Sequence, residues 1–214
     1  NNGVYGLTKG QYSATAVKGS KKKKGAVNEH QPIDLCKLAI NLGCTFVARS
    51  FSGSKKQLTS LMKAAMSHKG FALIDVISPC VTFNNNDESL RSYTYVKDND
   101  VELHAYDYIP TYSPIEGVEI PEGEFHDITL FDGSILRLET IGSDHDPSDA
   151  MAALNALHKA EVEDKHVTGL LYFDPTKATA IEDQCLVATP LADVPDEVMR
   201  PSAASLEVLN ARFR

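Results

Sequence analysis

A chain of 214 residues, 43% hydrophobic and 23% charged, has the composition of an ordinary globular protein of one domain or one and a half. Its formal charge of −8 argues against a nucleic-acid binder, which would match phosphates with a basic face. No run approaches the roughly eighteen apolar residues that span a bilayer, and Asn1-Asn2-Gly3-Val4-Tyr5 lacks the pattern of a signal peptide, so no membrane association and a cytoplasmic address are expected.

The opening is rich in Gly and Lys. Lys18 and the run Lys21-Lys22-Lys23-Lys24 read as a solvated loop, with a phosphate or partner contact as the alternative. Pro32-Ile33-Asp34 then leads into Leu35, Leu38, Ala39 and Leu42 at helical spacing, and Gly43 stands where a helix-ending glycine belongs. Thr45-Phe46-Val47-Ala48 reads as a buried strand. Ser54 can cap a second helix with Leu58, Leu61, Met62, Ala65 and Met66 on one face, closed by Gly70. Phe71 to Ile77 reads as the next strand, so strand, helix and strand make a parallel crossover unit with both sheet faces covered. Ligands of such sheets gather at the carboxyl ends of the strands, which is where Ser78-Pro79-Cys80 falls.

From about residue 98 the sequence alternates and is punctuated by turns. Asp132-Gly133 between Ile128–Phe131 and Ser134–Leu138 predicts a β-hairpin. A helix is expected from Asp146 to Ala160, a strand over Gly169–Phe173, and a terminal helix from Pro201-Ser202. Residues 1–97 read as half of an α/β core and 98–214 as a carboxy-terminal extension packed on it or on a partner subunit. The four cysteines, at 36, 44, 80 and 185, form no CxxC pair, so their spacing suggests neither a closed zinc site nor a disulfide framework.

Asn2-Gly3-Val4-Tyr5-Gly6-Leu7-Thr8-Lys9-Gly10-Gln11 together with Ser78-Pro79-Cys80-Val81-Thr82-Phe83-Asn84 resembles the β subunit of 2-oxoglutarate and related 2-oxoacid:ferredoxin oxidoreductases. Gly43 to Arg49, His68-Lys69-Gly70-Phe71, Asp144 to Asp149 and Gly169 to Tyr172 are similar to that family too. The resemblance implies a partial thiamine-diphosphate-binding parallel sheet with flanking helices. It also implies oxidation of a 2-oxoacid, 2-oxoglutarate foremost, to acyl-CoA and carbon dioxide with electrons passed to ferredoxin, or the reverse. Thiamine diphosphate, Mg and a 4Fe-4S cluster are the implied cofactors. An α subunit, the amino-terminal part of the β subunit, ferredoxin, coenzyme A and the 2-oxoacid are the implied partners. Asn2, Val4, Tyr5, Gly6, Leu7, Thr8 and Gln11 would bind the cofactor, Asn2 and Val4 the Mg, Cys80 the cluster, and Lys9 a substrate carboxylate.

Four features depart from the family. The Gly-Asp-Gly opening of the cofactor motif and the other family cysteines are missing, so the chain is expected to be incomplete at its front. Ala14 replaces the proline of the usual Ser-Pro-Thr, and the lysine run is foreign to the pattern.

Bland readings stand beside these: Asn2 as a turn residue, Lys9 as an exposed loop lysine, Cys80 as a small buried hydrophobe. His68 is expected to contact the last carbonyls of its helix, and Asp144-His145-Asp146 to cap a helix rather than bind metal. A pyruvate or broad-range enzyme is the alternative substrate reading, and a non-catalytic assembly partner the alternative class.

Overall fold

The computed structural model describes residues 1–5, 12–20, 27–82, 85, 89–109, 125–129, 135–140, 145–177 and 179–213. They divide into two compact units, Asn1–Lys177 and Ala178–Arg214.

In the first unit, helix α1 (Leu35–Asn41) starts where the Asp34 carboxylate accepts from the backbone N–H groups of Cys36 and Lys37, at 2.9 and 3.0 Å. It ends as Gly43 turns to a φ of +83°, which frees Gly43 N–H for Ile40 and Cys44 N–H for Ala39. Strand β1 (Phe46–Phe51) is buried throughout. Helix α2 (Lys55–Ser67) carries the chain over to β2 (Ala72–Ile77), which pairs parallel with β1 from Phe46↔Ala72 to Phe51↔Ile77. The expected crossover unit is therefore present. Helix α3 (Tyr93–Asn99), strand β3 (Asp100–Glu102), helix α4 (Ala150–Val162) and strand β7 (His166–Phe173) complete this layer.

The sheet runs β2-β1-β7-β3, with β7 antiparallel to β1 and parallel to β3. Its central strand thus comes from far along the chain, and residue 97 falls inside the first unit. A register shift at Val47/Ala48 leaves one extra residue, Leu171, in β7. Val47, Leu171 and Leu157 then pack with Cys36, Ala39 and Ile40 on one face, and Phe46, Ala48 and Leu170 with Leu61 and Ala64 on the other. Strands β4 (His104–Ile109), β5 (Phe125–Thr129) and β6 (Ile135–Thr140) form an antiparallel sheet of order β4-β6-β5. β5 and β6 are the arms of the expected hairpin, while its Asp132-Gly133 turn lies outside the described residues.

Local expectations are corrected at five points. The buried face of α1 is Cys36, Ala39 and Ile40, and Leu38 and Leu42 are exposed. On α2, Gln57, Ser60, Leu61 and Ala64 are buried while Met62 and Met66 are exposed. Ser54 stands at the N-cap of α2 without a side-chain capping bond. The His68 ring bonds Thr45 Oγ1 through Nε2 at 2.7 Å and meets Phe173 edge-on, and it is the His68 backbone N–H that donates to the Ala65 carbonyl of α2. A Cβ on Gly70 would stand 2.5 Å from Thr45 Oγ1 and 2.7 Å from that ring nitrogen, so glycine is what lets the ring lie there. Lastly, α4 is capped by Asp149, which accepts from Met151 and Ala152 N–H, while Asp146 holds Ser148 in the preceding turn and His145 donates to the Leu171 carbonyl.

The second unit holds α5 (Ala180–Asp183), a 3-10 turn (Leu191–Asp193), α6 (Asp196–Met199) and α7 (Ala203–Ala211). Thr179 and Glu182 form a reciprocal capping box on α5, and Ser202 caps the expected terminal helix. Ile181, Leu186, Leu191, Val198, Leu206 and Leu209 are all exposed. Cys36 and Cys44 are core thiols, Cys185 a surface one.

Candidate functional site

Two strands that read as apolar each carry one charge, Arg49 in β1 and Asp75 in β2, at paired positions. An ion in a buried strand needs a partner. Arg49 Nε donates to Asp75 Oδ2 at 3.2 Å and Arg49 Nη2 to Asp34 Oδ1 at 2.8 Å, with the guanidinium buried. Burial pushes Arg49 down, but the Cys36 thiol, Asp34 and Asp75 outweigh it and its net shift is upward. Burial likewise opposes ionisation of Asp34, yet the Arg49 charge and hydrogen bonds hold its carboxyl below the usual range. Burial drives the neighbouring Cys36 thiol up to about 12, which makes it an inert core group at neutral pH.

This ion cluster anchors the start of the chain. Asn1 Nδ2 donates to Asp75 Oδ1 at 2.9 Å, and Asn1 Oδ1 accepts from Arg91 Nη1 and from Thr15 Oγ1, both at 2.8 Å. Arg91 also clamps the Asn1 and Thr15 backbone carbonyls. Burial lowers the Arg91 pKa. The Asn1 amino group donates to Val76 O at 2.7 Å, and Ser78 N–H donates to Asn1 O at 3.1 Å. Asn1 therefore lies at the carboxyl end of β2, bonded to Val76 and Ser78. A cavity of about 130 Å³ below it is lined by Arg49, Asp75, Arg91 and His166. His166 donates from Nε2 to the Leu90 carbonyl, and burial lowers its pKa.

Of the residues singled out in the sequence, Asn2, Val4 and Tyr5 follow the anchored Asn1, and Cys80 lies two residues beyond Ser78, whose N–H bonds Asn1. Asn2 Oδ1 accepts from Val4 N–H at 3.0 Å, closing a turn in which Gly3 takes a φ of +71°. Val4 bridges Tyr12 in antiparallel fashion, and Tyr5 reaches an open groove of about 660 Å³ with Tyr12, Asn28 and His30. The turn offers oxygen donors, the chemistry that suits Mg. Cys80 is a half-buried free thiol, a suitable iron–sulfur ligand in kind. Among the described residues no three His, Cys, Asp or Glu side chains gather to hold a metal, so Cys80 stands without further cluster ligands there. Gly6, Leu7, Thr8, Lys9, Gln11 and the lysine run lie outside the described residues.

The clamp formed by Asn1, Thr15, Arg49, Asp75 and Arg91 escaped the sequence reading. Its signal was available: each of two apolar strand runs holds a single charge, Arg49 in one and Asp75 of opposite sign in the other.

Residues 1–76 match the thiamine pyrophosphate enzyme C-terminal TPP binding domain. The chain is 41% identical over 123 residues to the 2-oxoacid:ferredoxin oxidoreductase subunit beta of Sulfolobus sp, covering 57% of this chain and 37% of that protein. It is 36% identical over 109 residues to the 2-oxoglutarate synthase subunit KorB of Methanocaldococcus jannaschii, covering 49% and 40% respectively. It thus spans less than half the length of these curated relatives. A solved structure of the 2-oxoglutarate:ferredoxin oxidoreductase from Magnetococcus marinus, with 2-oxoglutarate, coenzyme A and succinyl-CoA bound, superposes with a TM-score of 0.61 at 25% identity. That match covers 100% of this chain and 56% of the other. No helix among the described residues is long and apolar enough to cross a membrane.

Proposed function

Because the chain is a homologue of the β subunits of 2-oxoacid:ferredoxin oxidoreductases, we propose that it forms the part of such a subunit that closes over thiamine diphosphate. The reaction is oxidative decarboxylation of a 2-oxoacid, 2-oxoglutarate first among them, to acyl-CoA, or its reversal. Residues 1–97 belong to the cofactor domain and 98–214 extend it, in a cytoplasmic enzyme assembled with an α subunit and served by ferredoxin. When bound, thiamine diphosphate supplies the electron sink that decarboxylation requires and no side chain offers, and an iron–sulfur cluster supplies single-electron transfer.

The observation that carries this reading is the anchoring of Asn1, ahead of the Asn2–Val4 turn, at the carboxyl end of β2. Arg91, Asp75 and Thr15 fix Asn1, and that sets where the Asn2 amide oxygen and the Val4 carbonyl stand as oxygen ligands for a diphosphate-bound Mg. Tyr5, Gly6, Leu7, Thr8 and Gln11 continue over the cofactor, and Lys9 offers a flexible point charge to a substrate carboxylate. The Cys80 thiolate is one of four ligands of a 4Fe-4S cluster, the other three coming from outside this chain.

Two substitutions in the assembled enzyme test the reading. Asn2→Leu should weaken thiamine-diphosphate and Mg retention by at least about tenfold, measured by equilibrium dialysis; unchanged retention refutes the Asn2 assignment. Cys80→Ala should lower iron content and remove the cluster's paramagnetic signal while thiamine diphosphate stays bound. Normal iron with an unaltered signal would overturn the role of Cys80.

A further inference from the structure

We propose that Arg91 is a positioning residue for the cofactor turn: its guanidinium fork joins the two backbone stems on which the Asn2–Val4 turn stands, and a lysine there does not replace it. The inference rests on the functional reading above.

The incoming stem is Asn1–Val4 and the outgoing one Tyr12–Thr15. Val4 and Tyr12 bridge in antiparallel fashion, and Ser13 N–H donates to Gly3 O at 3.2 Å. At the Asn1 end of the pair, Thr15 Oγ1 donates to Asn1 Oδ1 at 2.8 Å. Arg91 closes the same end. Its Nη1 donates to Asn1 Oδ1 at 2.8 Å and to Asn1 O at 3.3 Å, and its Nη2 donates to Thr15 O. One terminal nitrogen therefore serves each stem. The stems have separate anchorages: the incoming one is tied to Asp75 and to Ser78 N–H, the outgoing one to the segment ahead of α1, where Ile33 N–H donates to Ala14 O at 2.8 Å.

Arg91 is only 8% exposed, and among the described residues its side-chain hydrogen bonds all end on neutral oxygens of the two stems, while its Nε is buried without a partner. Arg49, by contrast, meets two carboxylates directly. Burying a cation against neutral oxygens alone is unfavourable. Stability by itself therefore does not account for an arginine here, whereas holding two stems together does. The Asn1 amide passes the constraint on: its oxygen faces Arg91 and its Nδ2 donates to Asp75 Oδ1, so both ends of the group are fixed one residue ahead of Asn2. A guanidinium presents its donors in one rigid plane, whereas a lysine ammonium keeps the charge as a single point on a flexible stem. Replacing Arg91 by lysine thus removes the fork and keeps the charge, which separates positioning from charge balance.

In the assembled oxidoreductase, Arg91→Lys should weaken thiamine-diphosphate and Mg retention by at least about tenfold, measured by equilibrium dialysis. In the cofactor-free sample it should speed hydrogen exchange of the Ser13 amide, which bonds Gly3 O, by a similar factor. Thr15→Val keeps the side-chain shape and removes the hydroxyl tie to Asn1, so it should move both readings in the same direction and by less. Because Arg91 acts through the turn, adding Arg91→Lys to Asn2→Leu should lower retention little further. Unchanged Ser13 exchange in the Arg91→Lys variant overturns the proposal, as does faster exchange with normal retention. A loss that adds in full to that of Asn2→Leu also overturns it, since Arg91 then acts on the fold rather than through the turn. Retention unchanged in Asn2→Leu refutes the Mg assignment, and with it the role of Arg91 in cofactor binding, while Ser13 exchange still decides whether Arg91 joins the stems.

Discussion

On the face of β1 that meets α1 and α4, Arg49 is held between the carboxylates of Asp34 and Asp75. On the face that meets α2, Ser50 instead opens a relay of side chains with a neutral amide at its centre. Ser50 Oγ donates to Gln57 Oε1 at 2.6 Å, and the Gln57 amide donates to Glu102 Oε1 at 2.8 Å and to Thr168 Oγ1 at 3.2 Å. Thr168 in turn donates to Asp100 Oδ1 at 2.8 Å. Adjacent residues of one strand thus satisfy burial by different means. A buried ion must be neutralised as well as hydrogen-bonded, whereas a buried amide needs only partners for its donors and acceptor.

Breaking the ionic side should cost most. Arg49→Met leaves two carboxylates without their cation and should destabilise the chain by about 3–5 kcal/mol, read from urea unfolding. Replacing Arg49 and Asp75 together by apolar residues should recover much of that loss. If the double variant is as unstable as the single one, the cost lies in packing rather than in stranded charge. On the neutral side, Gln57→Leu should cost less, about 1–3 kcal/mol, because it strands neutral hydroxyls rather than a pair of ions and the Glu102 carboxylate is only half-buried.

The smallest effect, and the sharpest, is the sign of the response to pH. The folded-state pKa of Asp34 lies below its ordinary value of 3.8. Its contribution is therefore present above that value and lost as pH falls through the folded pKa. Asp100 behaves oppositely: burial, opposed by the Thr168 hydrogen bond and reinforced by Glu102, raises it from 3.8 to about 6. Its contribution is fully present below 3.8 and is lost as pH rises through about 6. Asp100→Asn should flatten the melting temperature across that window, and Asp34→Asn should flatten it only on the acid side. A melting curve for Asp100→Asn that keeps the wild-type slope between those values would break the contrast between the two faces.

Much of the molecule was legible in the amino acids alone. The parallel unit β1–α2–β2 follows from two apolar runs around an amphipathic segment, and the Gly43 stop of α1 from the need for a left-handed residue there. The Asn2–Gly3 turn and the strand-end position of Cys80 were equally readable, because each depends on neighbours in sequence. Helical spacing located α1 but not its buried face. The leucine stripe scores as core, yet Leu38 and Leu42 are exposed, because the sheet and α4 meet α1 on its Cys36, Ala39 and Ile40 side.

Only the tertiary structure could decide the insertion of β7 between β1 and β3, because strand pairing across more than a hundred residues leaves no local trace. The Asp34–Arg49–Asp75–Asn1–Arg91 clamp was beyond the sequence for the same reason. Each side chain announces a need for a partner, and which partner it finds is settled by the fold that carries residues 1, 34, 49, 75 and 91 to one strand end.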